Sequence, residues 1–264
     1  MLVPSGEVFD GGARSWGAIN DGHNYIHEKG EKSHYDFEFE SAFCIDGSFN
    51  SLIEKIELCV SNNRGDDFAA INDFDPEDLD TILKYIASLV IRSPHYREQA
   101  ASIMELTPSI KRDNADKKNL IALNLSGKYE ILVEALKGTG KFVFFYTDSN
   151  DFIFGDGFYQ NISLNPISQI SYRILVPLTP SIAILYIKPH SYNPEPRLFV
   201  KKANNEIVKL VNDMVEIYSK DFLFFVGDQP GTSNWFDDHN HYYADYEEVD
   251  DLFASVPGVD RKLC

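Results

Sequence analysis

The sequence predicts an α+β fold, in which an N-terminal helical half packs on a mostly antiparallel sheet with one or more later helices. Between residues 36 and 138 apolar side chains recur every three or four positions, which is the period of an amphipathic helix. Between residues 139 and 226 short β-branched and aromatic runs alternate with turn residues, which indicates strands. Because helices come first and strands follow, the order does not fit regular βαβ alternation.

One domain is expected over all 264 residues, because this length suits one large domain and no linker rich in Pro, Gly and Ser interrupts the chain. The domain divides into four segments: an irregular N-terminal segment (1–35), the mainly helical half (36–138), the strand-rich half with a helix (139–226), and an acidic aromatic tail (227–264).

Two helices in the first half have clear signals. Ser48–Val60 carries apolar residues on one helical face. The next helix should begin after Asp75, an N-cap residue, with Pro76 in the first turn, where the missing N–H costs nothing. It should end at Ser93, because Pro94 disfavours helical geometry in the residue before it. Less sharply bounded helices are predicted over 94–106, within 119–136 and over 204–219.

Strands are predicted where short apolar runs lie between turn residues, namely at KFVFFY (141–146), DFIFG (151–155), YRILVP (172–177), IAILYI (182–187) and 222–226. The segment TDSN (147–150) is typical of a hairpin turn between the first two of these runs.

The formal net charge of −17 argues against binding to nucleic acid or to anionic membrane surfaces, since both carry negative charge. An acidic surface of this kind either keeps the protein in solution, mimics DNA, forms a cation site or meets a basic protein partner. Three cysteines are too few for a disulfide framework, and Cys44 and Cys59 are expected to be buried free thiols. With no apolar leader at the N-terminus, a cytoplasmic location is expected.

Most familiar motifs are missing or incomplete. The segment GTGK (138–141) lacks the first glycine and the Ser/Thr of a phosphate loop, and it leads from a helix into a strand. His23 and His27, and likewise His239 and His241, have spacings that occur in metal sites, but an exposed loop explains each pair better. The sequence therefore leaves cofactor and metal unknown.

Gly155-Asp156-Gly157 differs from these motifs because it closes a run of strong β character. Flanking glycines give a carboxylate freedom to adopt an unusual backbone and to face a cavity, and functional sites favour strand ends. The alternative is a tight turn in which Asp156 bonds its own backbone.

Four stretches resemble the uncharacterised, mainly bacterial family known as domain of unknown function 4238: an acidic helical segment with Glu40 and Ile45-Asp46-Gly47, a helix ending in Arg92-Ser93-Pro94, FIFGDG (152–157) and VPLTP (176–180). A helix containing Asn212 follows them in the same order. The usual His-containing N-terminal segment of the family is not found in this chain. The resemblance implies a shared fold and draws attention to Asp156, but it implies no known activity.

These observations predict a polar pocket between the helical half and the sheet, built by Asp156, Arg92, Asp46, Glu40 and Asn212. If the protein is an enzyme, a hydrolase is expected, with Asp156 as general base or metal ligand and Arg92 holding an anionic group. The alternative is a non-enzymatic binding protein, in which Asp156 and Arg92 belong to a structural ion-pair network. Its acidic surface and aromatic tail would then meet a basic partner through Trp235, Phe236, Tyr242, Tyr243, Tyr246 and Phe253.

Overall fold

The structure is a computed structural model. It describes residues 24–26, 32–36, 46–94, 127–138, 140–162, 171–191, 193–227 and 247–260, and the single residues Leu2, Val8, Tyr96, Gln169 and Phe236. The described helices and the mostly antiparallel sheet confirm the α+β fold. None of the described helices is long and apolar enough to cross a membrane.

The helices are α1 (Asp46–Asn62), α2 (Pro76–Arg92), α3 (127–136), α4 (Asn205–Tyr218) and α5 (Glu247–Ala254). The strands are β1 (Asn24–Ile26), β2 (Lys32–Asp36), β3 (Ala69–Ile71), β4 (Lys141–Tyr146), β5 (Phe154–Gly155), β6 (Tyr159–Gln160), β7 (Tyr172–Thr179), β8 (Ile182–Lys188), β9 (Leu198–Lys202) and β10 (Leu223–Phe224).

Local capping fixes both ends of α2, as the sequence predicts. The Asp75 side chain accepts a hydrogen bond from the backbone N–H of Glu77 at 2.9 Å, and Pro76 occupies the first turn. Ser93 ends the helix, and its N–H donates to the carbonyl oxygen of Val90 at 3.1 Å. A second Asx cap begins α4, where the Asn204 side chain accepts from the N–H of Ile207 at 2.9 Å.

Six strands form the main sheet in the order β3-β9-β4-β8-β7-β6. All neighbours are antiparallel except β4 and β9, which are parallel. A separate two-stranded ladder joins β5 to β10, and another joins β1 to β2. β4 is therefore a central strand, and all six of its residues are buried.

Helices cover both faces of the sheet. Along β4, Phe142, Phe144 and Tyr146 pack with α1, α2 and α3, whereas Val143 and Phe145 pack with α4 and α5. This alternation follows from the two-residue period of a strand. The result is a three-layer arrangement, helices–sheet–helices, rather than a helical half on one side only.

Two predictions, one about the turn at 147–150 and one about the aromatic tail, are wrong for the described residues. The segment 147–150 does not close a hairpin between β4 and the next run, because β4 pairs with β8 and β9 while β5 pairs with β10. The aromatic tail is not a free interaction surface in its described part. Phe253 of α5 is 0% exposed and packs against the sheet, and Phe236 is 3% exposed. Trp235, Tyr242, Tyr243 and Tyr246 lie outside the described residues.

A charged side chain at the start of β4 is fully buried. Lys141, the first residue of β4, is 0% exposed; its Nζ donates to the carbonyl oxygen of Pro196 at 2.8 Å and lies 5.3 Å from the centre of the Phe199 ring. Burial lowers the pKa of Lys141 below its ordinary value, and the carboxylate of Glu195 acts in the opposite direction.

Cys59 on α1 is a free thiol that is partly rather than fully buried. Burial, with a contribution from Asp73, raises the pKa of Cys59 to about 11. Cys44 lies outside the described residues.

Candidate functional site

A cavity of about 390 Å³ lies between the last two turns of α2, the end of β7 and the chain around β5. Its lining is mostly apolar and aromatic, with a few charged and polar groups. The residues that line it are Tyr85, Leu89, Arg92, Ser93, Pro94, Phe154, Gly155, Asp156, Gly157, Phe158, Val176, Pro177, Leu178, Asp221 and Phe222. The two residues ranked highest by sequence reasoning, Asp156 and Arg92, thus share one cavity.

Asp156 joins the β5 strand end to the turn that follows α4. Its Oδ1 accepts the N–H of Lys220 at 2.8 Å, and its Oδ2 accepts the N–H of Asp221 at 2.9 Å. Its own N–H donates to the carbonyl oxygen of Phe222 at 3.3 Å. We refer to these contacts, with the Gly157–Ser219 bonds described next, as the Asp156 clamp.

The two flanking glycines allow the chain to lie close to the end of α4. They do not adopt the unusual backbone that the sequence suggested, since neither has a φ in the left-handed region. A Cβ on Gly155 would lie 1.7 Å from Oγ of Ser219, and one on Gly157 would lie 1.8 Å from the carbonyl oxygen of Tyr218. The buried Ser219 hydroxyl accepts from the N–H of Gly157 and donates to its carbonyl oxygen, both at 3.3 Å. Only residues without a side chain fit against the end of α4 at this distance.

The Asp156 carboxyl has a perturbed acidity. Burial raises its pKa above the ordinary value of 3.8, the N–H groups of Lys220 and Asp221 act in the opposite direction, and the nearby Asp221 carboxylate adds to the rise. Burial is the largest cause because it penalises the charged form. The carboxyl is thus held in a fixed orientation and is a stronger base than an exposed aspartate.

Arg92, at the end of α2, lines the same cavity. Its Nε donates to the carbonyl oxygen of Ser88 at 3.4 Å, and its Nη2 donates to the Ser88 hydroxyl. Its positive charge acts on Tyr129, lowering a phenol pKa that burial raises to about 12. Within the described chain, no ion pair joins Arg92 to Asp156.

Of the other three predicted residues, Asn212 is described in full and is not part of the cavity lining. Asn212 on α4 holds the chain that leads into β5: its Oδ1 accepts the N–H of Ile153 at 3.1 Å, and its Nδ2 donates to the carbonyl oxygen of Asp151 at 2.9 Å. Asp46 is the first residue of α1, and Glu40 lies outside the described residues. The amide of Asn212 therefore acts as a structural bridge to the strand that carries Asp156.

Sequence reasoning missed Asp221 and Ser219. Both lie in the short turn between α4 and β10, which has the composition of an ordinary loop and gives no signal by itself. Their importance depends on the pairing of β10 with β5, which brings this turn against Gly155-Asp156-Gly157. The aromatic wall, with Phe154, Phe158 and Phe222, was also not predicted.

A second cavity, of about 520 Å³, is a more open groove beside α3. Its lysine, Lys188, donates to the carbonyl oxygens of Ala135 at 2.8 Å and Lys137 at 3.0 Å. These are carbonyls at the end of α3, so Lys188 has a structural role there.

Among the described residues, no group of three or more His, Cys, Asp or Glu side chains is placed to hold a metal ion. The histidine pairs at 23/27 and 239/241 lie outside the described residues. Comparisons with models of protein families, with curated proteins and with solved structures found no match for the chain. The resemblance to the family of domain of unknown function 4238 stays a prediction.

Proposed function

We propose that this chain binds a small organic molecule in the cavity between α2 and the Asp156 clamp. The observation that carries the proposal is the convergence of Asp156, Asp221 and Arg92, from separate parts of the chain, on one cavity with an aromatic wall. A volume of about 390 Å³ suits a small metabolite, since such sites span roughly 300–1,000 Å³, are mostly apolar and carry a few convergent polar groups.

Hydrolysis is the reaction this site supports best. An aspartate is a more efficient general base when it is oriented and its pKa is raised, and Asp156 meets both conditions through its two backbone N–H partners and its burial. Arg92 faces the same cavity and is the group that would hold a developing or resident negative charge. We favour the base role over a metal-ligand role, because the described residues bring no third ligand to Asp156 and Asp221.

A non-enzymatic protein is the second candidate, and a specific observation favours it. Both carboxylate oxygens of Asp156 accept backbone N–H groups, which is what a purely structural clamp requires. The net charge of −17 then suits a basic protein partner and not a nucleic acid. In this case the cavity would bind nothing, and Asp156 would serve only to join β5 to the α4–β10 turn.

Fragment binding separates these candidates. A library of small organic fragments is screened by ligand-observed NMR against the wild type and against Leu178→Trp, which places a larger side chain into the cavity. Fragments that bind the wild type and lose binding in Leu178→Trp support the proposal. Fragments that bind both proteins equally, or a screen without hits, contradict it.

Catalysis is tested with a panel of chromogenic esters and amides. Turnover by the wild type that falls at least about 100-fold in Asp156→Asn would match the usual contribution of a general base. Asp67→Asn, an exposed aspartate away from the cavity, is the matched control with the same change of charge. Equal turnover in wild type and Asp156→Asn would refute the base role.

A further inference from the structure

Two acidic residues of the Asp156 cavity are close neighbours. Asp156 and Asp221 lie together, because the N–H of Asp221 bonds to the Asp156 carboxylate at 2.9 Å and the two carboxylates interact electrostatically. Neither side chain forms an ion pair within the described chain. Lys220 contributes its backbone N–H here, and its side chain is not part of the cavity lining.

Two further features make this end of the cavity favourable for a positive charge. It adjoins Ser219, the C-cap of α4, and the C-terminus of a helix carries partial negative charge. The neighbouring wall is aromatic, with Phe154, Phe158 and Phe222, and the faces of aromatic rings attract cations.

Arg92 also lines the cavity. Its guanidinium is turned back along α2 by its bonds to Ser88, and within the described chain it forms no ion pair with Asp156 or Asp221. A positive group is repelled by Arg92 and attracted by the two carboxylates, which favours one orientation of a bound ligand.

We infer that the ligand of this cavity is a small organic cation, a protonated amine or quaternary ammonium on an apolar or aromatic body, with its positive group against Asp221 and Asp156. The neutral or anionic end of the ligand points towards Arg92. This inference rests on the proposed function, because it names the chemical class of molecule that the cavity takes.

Three probes with the same ring test the charge preference: 2-phenylethylammonium, 2-phenylethanol and phenylacetate. Their dissociation constants are measured by NMR titration near neutral pH with the full chain. We expect the cation to bind about tenfold more tightly than the alcohol, as one partly desolvated ion pair with an aromatic contact provides. Phenylacetate is expected to bind most weakly.

Asp221→Asn is the decisive variant, because Asp221 is exposed and, among the described residues, its side chain forms no hydrogen bond or ion pair that the substitution would remove. The preference for the cation over the alcohol should fall about fivefold in Asp221→Asn and stay unchanged in Asp67→Asn. Three results would overturn the inference: equal binding of the three probes, tighter binding of phenylacetate than of the cation, or an unchanged preference in Asp221→Asn. The cavity would still be a binding site, but not one for cations. If none of the three probes binds but the fragment screen gives hits in the cavity, the cation inference is wrong and the proposed function stands. If the fragment screen also gives no hits, both are wrong.

Discussion

Replacing Gly157 with alanine should destabilise the protein strongly, although it adds only one methyl group. The added Cβ would lie 1.8 Å from the carbonyl oxygen of Tyr218 and 2.3 Å from its carbonyl carbon. Both are backbone atoms at the end of α4, so no side-chain rotation removes the clash. An ordinary contact needs about 3.4 Å, so the two segments must separate by about 1.6 Å, the difference between 3.4 and 1.8 Å.

That separation breaks the Gly157–Ser219 hydrogen bonds, which are already 3.3 Å long. Overpacking costs about 1–3 kcal/mol, and each lost hydrogen bond costs about 1 kcal/mol. The loss of glycine flexibility in the unfolded chain offsets about 0.4–1 kcal/mol. We therefore expect the free energy of unfolding of Gly157→Ala to be lower by about 2–4 kcal/mol, which is a large part of the stability of a typical domain.

Urea unfolding followed by far-UV circular dichroism measures this loss. Gly65→Ala is the control, because a Cβ there meets no atom within 4 Å, and it should change the free energy of unfolding by less than about 0.5 kcal/mol. Gly155→Ala clashes mainly with the Ser219 hydroxyl, so its cost should fall in the double variant with Ser219→Ala, whereas that of Gly157→Ala should not. If Gly157→Ala is as stable as Gly65→Ala, the clamp does not have the geometry described above.

Three further predictions concern titrating groups. Burial raises the pKa of Asp156 above 3.8, so the stability that this group contributes is present below about pH 3.8 and is lost as the pH rises through its folded pKa. The free energy of unfolding of the wild type should therefore fall relative to that of Asp156→Asn as the pH rises from about 3.8 through the folded pKa. A difference between the two proteins that is constant with pH would contradict the raised pKa. Burial lowers the pKa of Lys141 below 10.5, so the wild type should gain stability relative to Lys141→Met as the pH rises through the folded pKa towards 10.5. Chemical denaturation at neutral and alkaline pH measures this, and a parallel pH dependence of the two proteins would count against it. The pKa of Cys59, raised from 9.0 to about 11, corresponds to about 100-fold less thiolate below the pKa. In a variant with Cys44→Ser and Cys264→Ser, a disulfide reagent should react with the folded protein about 100-fold more slowly than with the urea-unfolded protein, and equal rates would refute the effect of burial.

Local signals predicted α1, α2 and α4 well because the interactions that set helix ends are local. The helix predicted over 94–106 lies mostly outside the described residues. The N-caps of α2 and α4 are bonds between residues two or three positions apart, and Pro94 limits its immediate neighbour. The sheet could not be predicted in the same way. β9 lies beside β4 at the centre of the sheet, yet the sequence did not predict it. The strand has only five residues, and two of them are lysines.

The sequence pointed to the correct segment of the candidate site, but for a different reason from the one that the structure shows. Gly155-Asp156-Gly157 drew attention as a flexible turn, yet the glycines are required because the end of α4 lies against them. Asp221 belongs to the site only because β10 pairs with β5, a contact between segments far apart in the chain. Arg92 could be placed near the core from the apolar stripe of α2, but its bonds to Ser88 depend on a rotamer that no pattern encodes.

The position of β9 between β3 and β4 has a consequence for how the chain folds. One edge of β4, KFVFFY, can pair with β8 as soon as the antiparallel strands have formed, but its other edge stays open until β9 inserts beside it. An aromatic strand edge of this kind, whose one charged residue is Lys141 at its start, is a template on which chains join into aggregates. Since the pairing that closes it is non-local and parallel, it forms slowly. During folding, therefore, the interval before β9 arrives is the period when this protein is most prone to aggregate, and substitutions that slow this step should lower the yield of soluble protein even if they leave the final structure unchanged.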